Sequence, residues 1–449
     1  MGNITDMDIK DKNIVSALQK LGIEELTEMQ KSSLKAFNDR KDIILLSPTG
    51  SGKTIAFLLP LILSLKNDSE NIQAIILAPS RELAMQINTV FKDINSSFTS
   101  VCCYGGRPTM EEHKTIKSVK PSVIIGTPGR VLDHINKGNI NTESVDTLII
   151  DEFDKSLEFG FHDEMKEILN NLPNLKKRVL TSATEAEDIP EFTGLNRAIT
   201  LNYLDKNEEV SDRLNLFRVN SPEKDKLETL YKLLCTVGDK QTVVFCNHRE
   251  SVERVNSFLK SKKLITSIFH GGMEQDFREK SLYKFRNASS HILVSTDLAA
   301  RGLDIPEIEN VIHYHFPTTV EGFTHRNGRT ARWQSDGNSY IIVGPEETMP
   351  DFIDSDIPEF IIPEVLPKPG IPKFVTLYIG KGKKDKINKV DIVGFLFKKG
   401  NLTKEDIGKV DVKDHYAFAA ISRKKAKQAL TLIKNEKIKG QKILIEEAK

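Results

Sequence analysis

Short runs of β-branched and aliphatic residues recur through the first two thirds of the chain: DIILL, AIIL, SVIIG, TLII and RVLTS, then TVVFC, TSIF, HILV, VIHYH and SYIIV. They are continuously apolar rather than alternating, the pattern of strands buried on both faces of a parallel sheet. Stretches of helical period lie between them. In RESVERVNSFLKSKK, residues 249–263, Val252, Val255, Phe258 and Leu259 fall on one face. Such alternation of strand and helix predicts an α/β fold. The series breaks over LNYLDKNEEVSDRLN, residues 201–215, a polar and charged stretch that reads as a linker. It breaks again over PEFIIPEVLPKPGIPK, residues 358–373, where five prolines exclude helix and sheet interior. Beyond it, KFVTLYIG, DHYAFAAIS, ISRKKAKQALTLIK and QKILIEEAK predict strands around an amphipathic helix, a small α+β module. The expected organisation is a first α/β domain over 1–205, a second over 206–362, a Pro-rich linker over 363–372 and the module over 373–449.

Composition agrees with this layout. A chain of 449 residues has room for about three domains. With 39% hydrophobic and 28% charged residues it reads as soluble and globular. Cys102, Cys103, Cys235 and Cys246 form no Cys-x-x-Cys pair and have no histidine cluster beside them in sequence. Neither a metal site nor a disulfide framework is expected, and a reducing cytoplasm fits. MGNITDMDIKDKN has no basic start followed by an apolar stretch, so no secretory signal is read there. IAFLLPLILSL falls short of the roughly 20 apolar residues that span a bilayer. An intracellular protein is expected.

The net charge of +1 hides an asymmetry. Residues 373–449 hold 20 Lys and Arg against 9 Asp and Glu, a balance of +11; the remainder holds 44 against 54, a balance of −10. A basic module on an acidic body suits a polyanion partner, nucleic acid among them, although lysines that are merely solvated give the same count.

DIILLSPTGSGKT, residues 42–54, reads as a strand, a glycine-containing turn and a helix start. Thr49, Gly50, Ser51 and Gly52 would curl backbone N–H groups around phosphate oxygens. Lys53 would bring charge to the β- and γ-phosphates, and the Thr54 hydroxyl can ligate Mg²⁺. Ser47 stands where the general pattern has its first glycine. Further on, LIIDEFDKSL ends an apolar run in Asp151, Glu152 and Asp154. Taken alone, this is a strand running into a solvated acidic turn. With a phosphate loop upstream, Asp151 suits a place near the magnesium and Glu152 suits the general base for an attacking water.

These residues, taken in order, resemble the DEAD-box RNA helicases, with two RecA-like domains over residues 1–362. SPTGSGKT resembles motif I, APSRELA motif Ia, YGG the glycine doublet, TPGR motif Ib, DEFD motif II and SAT motif III. VVFCN resembles motif IV, HGGMEQDFR the Gln-x-x-Arg motif, STDLAARGLDIP motif V and HRNGRTAR motif VI. The resemblance implies that Gln30 reads adenine and that Ser182 and Thr184 couple nucleotide state to domain closure. It implies that Asp304, Arg329 and Arg332 reach the nucleotide from the second domain, the arginines as fingers on the transferring phosphoryl group. Arg81, Gly106, Thr127, Arg130, Gln275, Arg278, Thr296 and Asp297 would line the RNA sugar-phosphate backbone, contacts that bind without reading sequence.

Several positions depart from the family pattern. Phe153 replaces an alanine, and its ring is expected to point away from the carboxylates and repack. Leu26 replaces a proline, and no aromatic residue precedes Phe37, so Ile4 or Met7 is expected against the base. Asn327 stands where isoleucine is common, and Trp333 where a small residue is usual.

The tail resembles the C-terminal RNA-binding module of DbpA-type helicases, an RRM-like fold, through TLYIGKGKKDKI, EDIGKVDV and GQKILI. Tyr378 falls at the first-strand aromatic position of such a fold, and Tyr416 and Phe418 alternate as in the third-strand signature. These rings either stack on RNA or belong to the module's core. The resemblance implies an ATP- and Mg²⁺-dependent RNA helicase anchored to large-subunit ribosomal RNA within a pre-ribosomal particle. An ATP-gated RNA scaffold and a DNA translocase are the other readings of the same fold. Glu152, Arg329 and Arg332 argue against the first; APSRELA, SAT and the tail argue against the second.

Overall fold

The computed structural model describes residues 12–39, 41–48, 50–67, 71–94, 97–106, 109–184, 189–204, 214–297, 308–328, 330, 337–354 and 356–448. The chain divides into two compact units, the second of which carries both the second α/β domain and the C-terminal module.

In the first unit the strands are β1 (Ile43–Leu46), β2 (Ala74–Leu77), β3 (Ser100–Cys103), β4 (Val123–Gly126), β5 (Thr147–Ile150), β6 (Lys177–Ser182) and β7 (Ile199–Asn202). They pair in parallel in the order β3-β4-β2-β5-β6-β1-β7. The helices are α1 (Lys12–Lys20), α2 (Glu28–Phe37), α3 (Lys53–Ser64), α4 (Arg81–Ile94), α5 (Thr109–Val119), α6 (Pro128–Asn136), α7 (Phe153–Glu158) and α8 (His162–Asn170). Separate apolar clusters cover the two faces: one gathers α2, α3 and α4, the other Val131, Phe153, Met165 and Ile168. Helix α3 is apolar nearly all round and correspondingly buried from Ile55 to Ile62.

The second unit repeats the plan with β8 (Leu214–Asn220), β9 (Thr242–Cys246), β10 (Thr266–Phe269), β11 (Ile292–Thr296), β12 (Asn310–His313) and β13 (Gly337–Val343). Their parallel order is β10-β11-β9-β12-β13-β8. Its helices are α9 (Leu227–Val237), α10 (Arg249–Ser261), α11 (Gln275–Arg286) and α12 (Val320–Asn327). On α10, Val252, Val255 and Leu259 are buried, as the period predicts.

The module is an antiparallel sheet in the order β15-β16-β14-β19, built from β14 (Phe374–Ile379), β15 (Ile407–Val412), β16 (Ala417–Ser422) and β19 (Ile445–Glu447). A small ladder joins β17 (Lys437–Ile438) to β18 (Gln441–Lys442). Helices α13 (Lys389–Lys398) and α14 (Arg423–Ile433) cover one sheet face around Leu377, Ala419 and Ile421. The fold is therefore two tandem RecA-like parallel-sheet domains followed by a small RRM-like α+β domain, as expected.

The stretch read as a linker over 201–215 is shorter in the structure. β7 enters it from one side and β8 leaves it on the other. Both are edge strands, β7 alternating between half-buried and exposed and β8 mostly half-buried, so neither shows the continuous apolar run that marks the interior strands.

Candidate nucleotide site and nucleic-acid interface

The loop after β1 and the acidic turn after β5 flank β6, because β6 lies between β1 and β5 in the sheet. Register places Leu46 beside Ser182 and Ile150 beside Leu180, so all three strands end at one edge. The carboxyl edge of a parallel sheet is where such folds bind ligands.

Gly50 and Gly52 hold positive φ angles of 85° and 91° in the loop. A Cβ on Gly52 would lie 2.6 Å from the movable Nε2 end of Gln30, and it is the left-handed backbone there that requires glycine. Gln30 Nε2 donates to the Gly52 carbonyl at 3.3 Å. Gln30 Oε1 accepts the Thr27 N–H, completing a capping box at the start of α2. The Gln30 side chain thereby fastens α2 to the phosphate loop. Lys53 begins α3, is buried, and its ammonium donates to the carbonyls of Ser47 and Pro48. Ser47, in place of the pattern's first glycine, donates to Ser51 Oγ at 2.7 Å. Thr54 follows on the first turn, half-buried. Thr49 lies outside the described residues.

Asp151 and Glu152 are both buried. Asp151 Oδ1 accepts the Glu152 N–H at 3.1 Å and the Thr181 hydroxyl. Burial pushes the Asp151 carboxyl above its ordinary range, while the Thr181 hydrogen bond and the Lys53 charge oppose the rise. Glu152 has φ 48° and ψ 54°, a left-handed conformation that non-glycine residues take at a cost and that clusters at functional sites. This turn aims consecutive side chains differently, and Phe153, opening α7, drops into the core beside Met165 and Leu180. It packs there as expected from the sequence.

Two residues given no role by sequence reasoning complete the site. Thr181 bonds Asp151 and also accepts the Glu152 N–H at 3.2 Å. Asp154 accepts the Thr184 hydroxyl at 3.0 Å, tying motif II to motif III. Ser182 in turn accepts the Thr184 N–H at 3.1 Å. The place of Thr181, directly before SAT, is the available signal for the first; Asp154 was visible in the acidic cluster.

On the same unit, Arg81 begins α4, and its guanidinium lies against the glycine doublet, 3.1 Å from where a Cβ on Gly105 would be. Gly106 holds φ 93°. Thr127 caps α6, and Arg130 on that helix donates to Thr109 and to Glu112, each at 3.0 Å. Glu112 also accepts the Tyr104 N–H at 3.1 Å and lies 2.9 Å from His134 Nε2. Cys103, Glu112 and His134 thus come together, buried, although their spacing in sequence signals no cluster. Burial first, then the Glu112 charge, pushes the Cys103 thiol up, so it stays protonated. The arrangement holds Arg130 in place.

In the second unit Gln275 opens α11 and its amide donates to Glu279 at 3.2 Å. The Arg278 guanidinium lies 4.9 Å from the centre of the Phe269 ring. Thr296 ends β11, buried. Asp297 is clamped by Arg326, which also donates to the His315 carbonyl at 2.6 Å and to Asn247 at 2.8 Å. This fully buried arginine, missed by sequence reasoning, joins motifs IV, V and VI. Asn327 is accounted for as well: its carbonyl oxygen accepts from Ser339 at 2.7 Å and lies 3.2 Å from His313 Nε2. Asp304, Arg329, Arg332, Trp333, Ile4 and Met7 lie outside the described residues.

In the module, Tyr378, Phe418 and Tyr416 form a ring cluster on the sheet face away from its helices. That face is applied to α11. Phe418 stacks on Tyr283 at 4.7 Å, and Tyr416 donates to Glu279 at 2.6 Å. Phe418 is buried by the contact, whereas Tyr378 and Tyr416 remain partly exposed. Among the described residues no helix is long and apolar enough to cross a membrane.

Comparison with known proteins agrees with this geometry. Residues 27–192 match the DEAD/DEAH box helicase family, 225–334 the helicase conserved C-terminal domain, and 376–447 the DbpA RNA binding domain. The ATP-dependent RNA helicase DbpA of Bacillus subtilis (strain 168) is 30% identical over 97% of both chains. That of Escherichia coli (strain K12) is 32% identical over 94% of both. Among solved structures, S. cerevisiae Dbp5 bound to RNA and ADP BeF3 aligns with a TM-score of 0.67 at 27% identity, covering 75% of this chain and 88% of that one. The DEAD-box helicase Mss116 bound to ssRNA and UDP-BeF aligns with a TM-score of 0.69 at 27% identity, covering 77% and 76%. Strand order, phosphate loop, acidic turn and RRM-like module all concur: the chain belongs to the DEAD-box ATP-dependent RNA helicases of the DbpA type, RNA-dependent ATPases with a C-terminal RNA-binding domain.

Proposed function

We propose that this helicase remodels short duplexes of large-subunit ribosomal RNA during ribosome assembly, in the cytoplasm. The observation that carries the reading is the C-terminal module, matched over 376–447 as a DbpA RNA binding domain and strongly basic by sequence. Lys383, Lys384, Lys386 and Lys389 are exposed on it and offer phosphate contacts. The motor, over residues 1–362, would contact the RNA backbone through Arg81, Gly106, Thr127, Arg130, Gln275, Arg278 and Thr296, so preference among RNAs falls to the module over 373–449.

For ATP, the reading assigns the phosphates to residues 49–54 and the attacking water to Glu152, whose carboxylate acts as general base. Thr54 and Asp151 are the residues that fit Mg²⁺: Asp151 is a buried carboxylate whose hydrogen bonds fall on Oδ1, leaving Oδ2 for a cation. Mg²⁺ held by Thr54 and Asp151 would supply charge neutralisation to the β- and γ-phosphates. Thr181 holds Asp151 and the Glu152 backbone in one geometry, and Asp154 passes that geometry to Thr184. Arg329 and Arg332 would complete the charge stabilisation from the second domain. The burial of Glu152 beside Asp151 favours hydrolysis over an ATP-gated scaffold. The test is ATPase activation by ribosomal RNA, unrelated RNA and DNA, compared side by side.

A further inference from the structure

Helix α11 serves two masters. Its first turn carries Gln275 and Arg278, and its last turn carries Tyr283, against which the C-terminal module docks. The docking is specific rather than merely greasy. The Tyr283 hydroxyl lies 2.7 Å from the Lys409 carbonyl and 3.0 Å from that of Phe418, and burial pushes its pKa up. Asn287 Nδ2 donates to Thr376 Oγ1 at 2.8 Å, and Thr376 donates to Ser289 at 2.9 Å. Arg423 donates to the Pro372 and Phe374 carbonyls at 2.7 and 2.8 Å, fixing the chain where it enters the module. Buried polar groups are thus satisfied across the contact, as in a built interface.

Between the two ends of α11 stands Glu279. One of its carboxylate oxygens accepts the Tyr416 hydroxyl at 2.6 Å; the other accepts the Gln275 amide at 3.2 Å. The spacing of Gln275 and Glu279 is one helical turn, so the carboxylate lies over the amide by construction. We infer that Glu279 is a positioning residue through which the docked C-terminal module, by way of Tyr416, orients Gln275 for the RNA backbone. The Tyr416 hydroxyl holds one carboxylate oxygen, and the other oxygen holds the Gln275 amide, so the hydroxyl helps to set the direction in which the amide points. The module therefore raises the motor's affinity for any RNA, beyond its own choice of RNA. The inference rests on the reading of Gln275 as a backbone contact.

The test uses the full chain with a short unstructured oligouridylate, measuring the RNA concentration that half-saturates ATPase activity and the turnover at saturation. Tyr416→Phe removes the hydroxyl and keeps the ring. It is expected to raise the half-saturating concentration roughly 3- to 10-fold with saturated turnover unchanged, the scale of one hydrogen bond's net contribution. Gln275→Ala should raise it at least as much, and the double variant should be no worse than Gln275→Ala alone, because both changes break one chain of contacts. If Gln275→Ala weakens RNA activation while Tyr416→Phe does not, or if the two effects simply add, the relay is refuted and the RNA contact stands. If Gln275→Ala leaves RNA activation unchanged, the contact reading fails and the relay with it.

Discussion

Thr181, on the penultimate position of β6, donates its hydroxyl to Oδ1 of Asp151 at the end of β5. The same oxygen receives the Glu152 N–H, so one threonine sets both the buried acid and the strained turn that follows it. Thr181→Val keeps the shape and removes both interactions. Leaving those polar groups without a partner should lower stability by about 1–3 kcal/mol. Misplacing the acidic pair should slow RNA-saturated ATP turnover roughly 10- to 100-fold. Urea denaturation and steady-state ATPase assays check both; turnover equal to wild type would show that Thr181 does not hold the site.

Glu152→Gln tests the base. The amide preserves size and the backbone turn but cannot take a proton, so hydrolysis should slow by about 10²-fold or more while ATP and RNA binding persist. Equilibrium binding with a fluorescent ATP analogue, run beside single-turnover hydrolysis, separates the two. Wild-type hydrolysis in this variant would remove Glu152 from the mechanism.

Phe153→Ala separates packing from chemistry. The ring lies in the core with Ile150, Met165 and Leu180, pointing away from the carboxylates that precede it. Its loss should cost about 3–5 kcal/mol of stability through the cavity left behind. RNA-dependent ATPase activity of the folded fraction should stay within a few-fold of wild type. Loss of all activity with the fold intact, read by circular dichroism and ATPase assay together, would make the ring part of the machinery.

How much of this was legible in the sequence follows from physics. Interior strands such as β4 and β5 are buried on both faces, so their apolar runs announce them. Edge strands β3, β7 and β8 lack that signature or are masked by neighbouring charge, and helix α13 was hidden in a lysine-rich stretch. Phosphate-loop residues are local in sequence and were readable as a motif. Contacts such as Thr181 to Asp151, Arg326 to Asp297 and Tyr416 to Glu279 join residues far apart in the chain. No spacing rule reveals them; only the folded topology does.

Acid should weaken the second α/β domain. Burial, then the neighbouring Arg326 charge, pushes His313 down to about 3, and burial pushes His315 down to about 4. An unfolded imidazole titrates near 6.5. Between these values the unfolded chain binds more protons than the folded one, so stability rises with pH. The contribution is fully present above about pH 6.5 and is lost progressively as pH falls towards the folded values. Urea midpoints measured from pH 7 to pH 5 should decline, and His313→Gln should flatten part of the slope. An unchanged slope in that variant would contradict the assignment.

The central claim is that an RNA-dependent ATPase motor takes its choice of RNA from the C-terminal module. The most direct measurement is ATPase activation of the full chain, at fixed salt, by large-subunit ribosomal RNA fragments, unrelated RNA of equal length and single-stranded DNA. The account predicts half-activation at the lowest concentration for a ribosomal RNA fragment, activation by unrelated RNA only at higher concentration, and little activation by DNA. Equal activation by all three nucleic acids would contradict it.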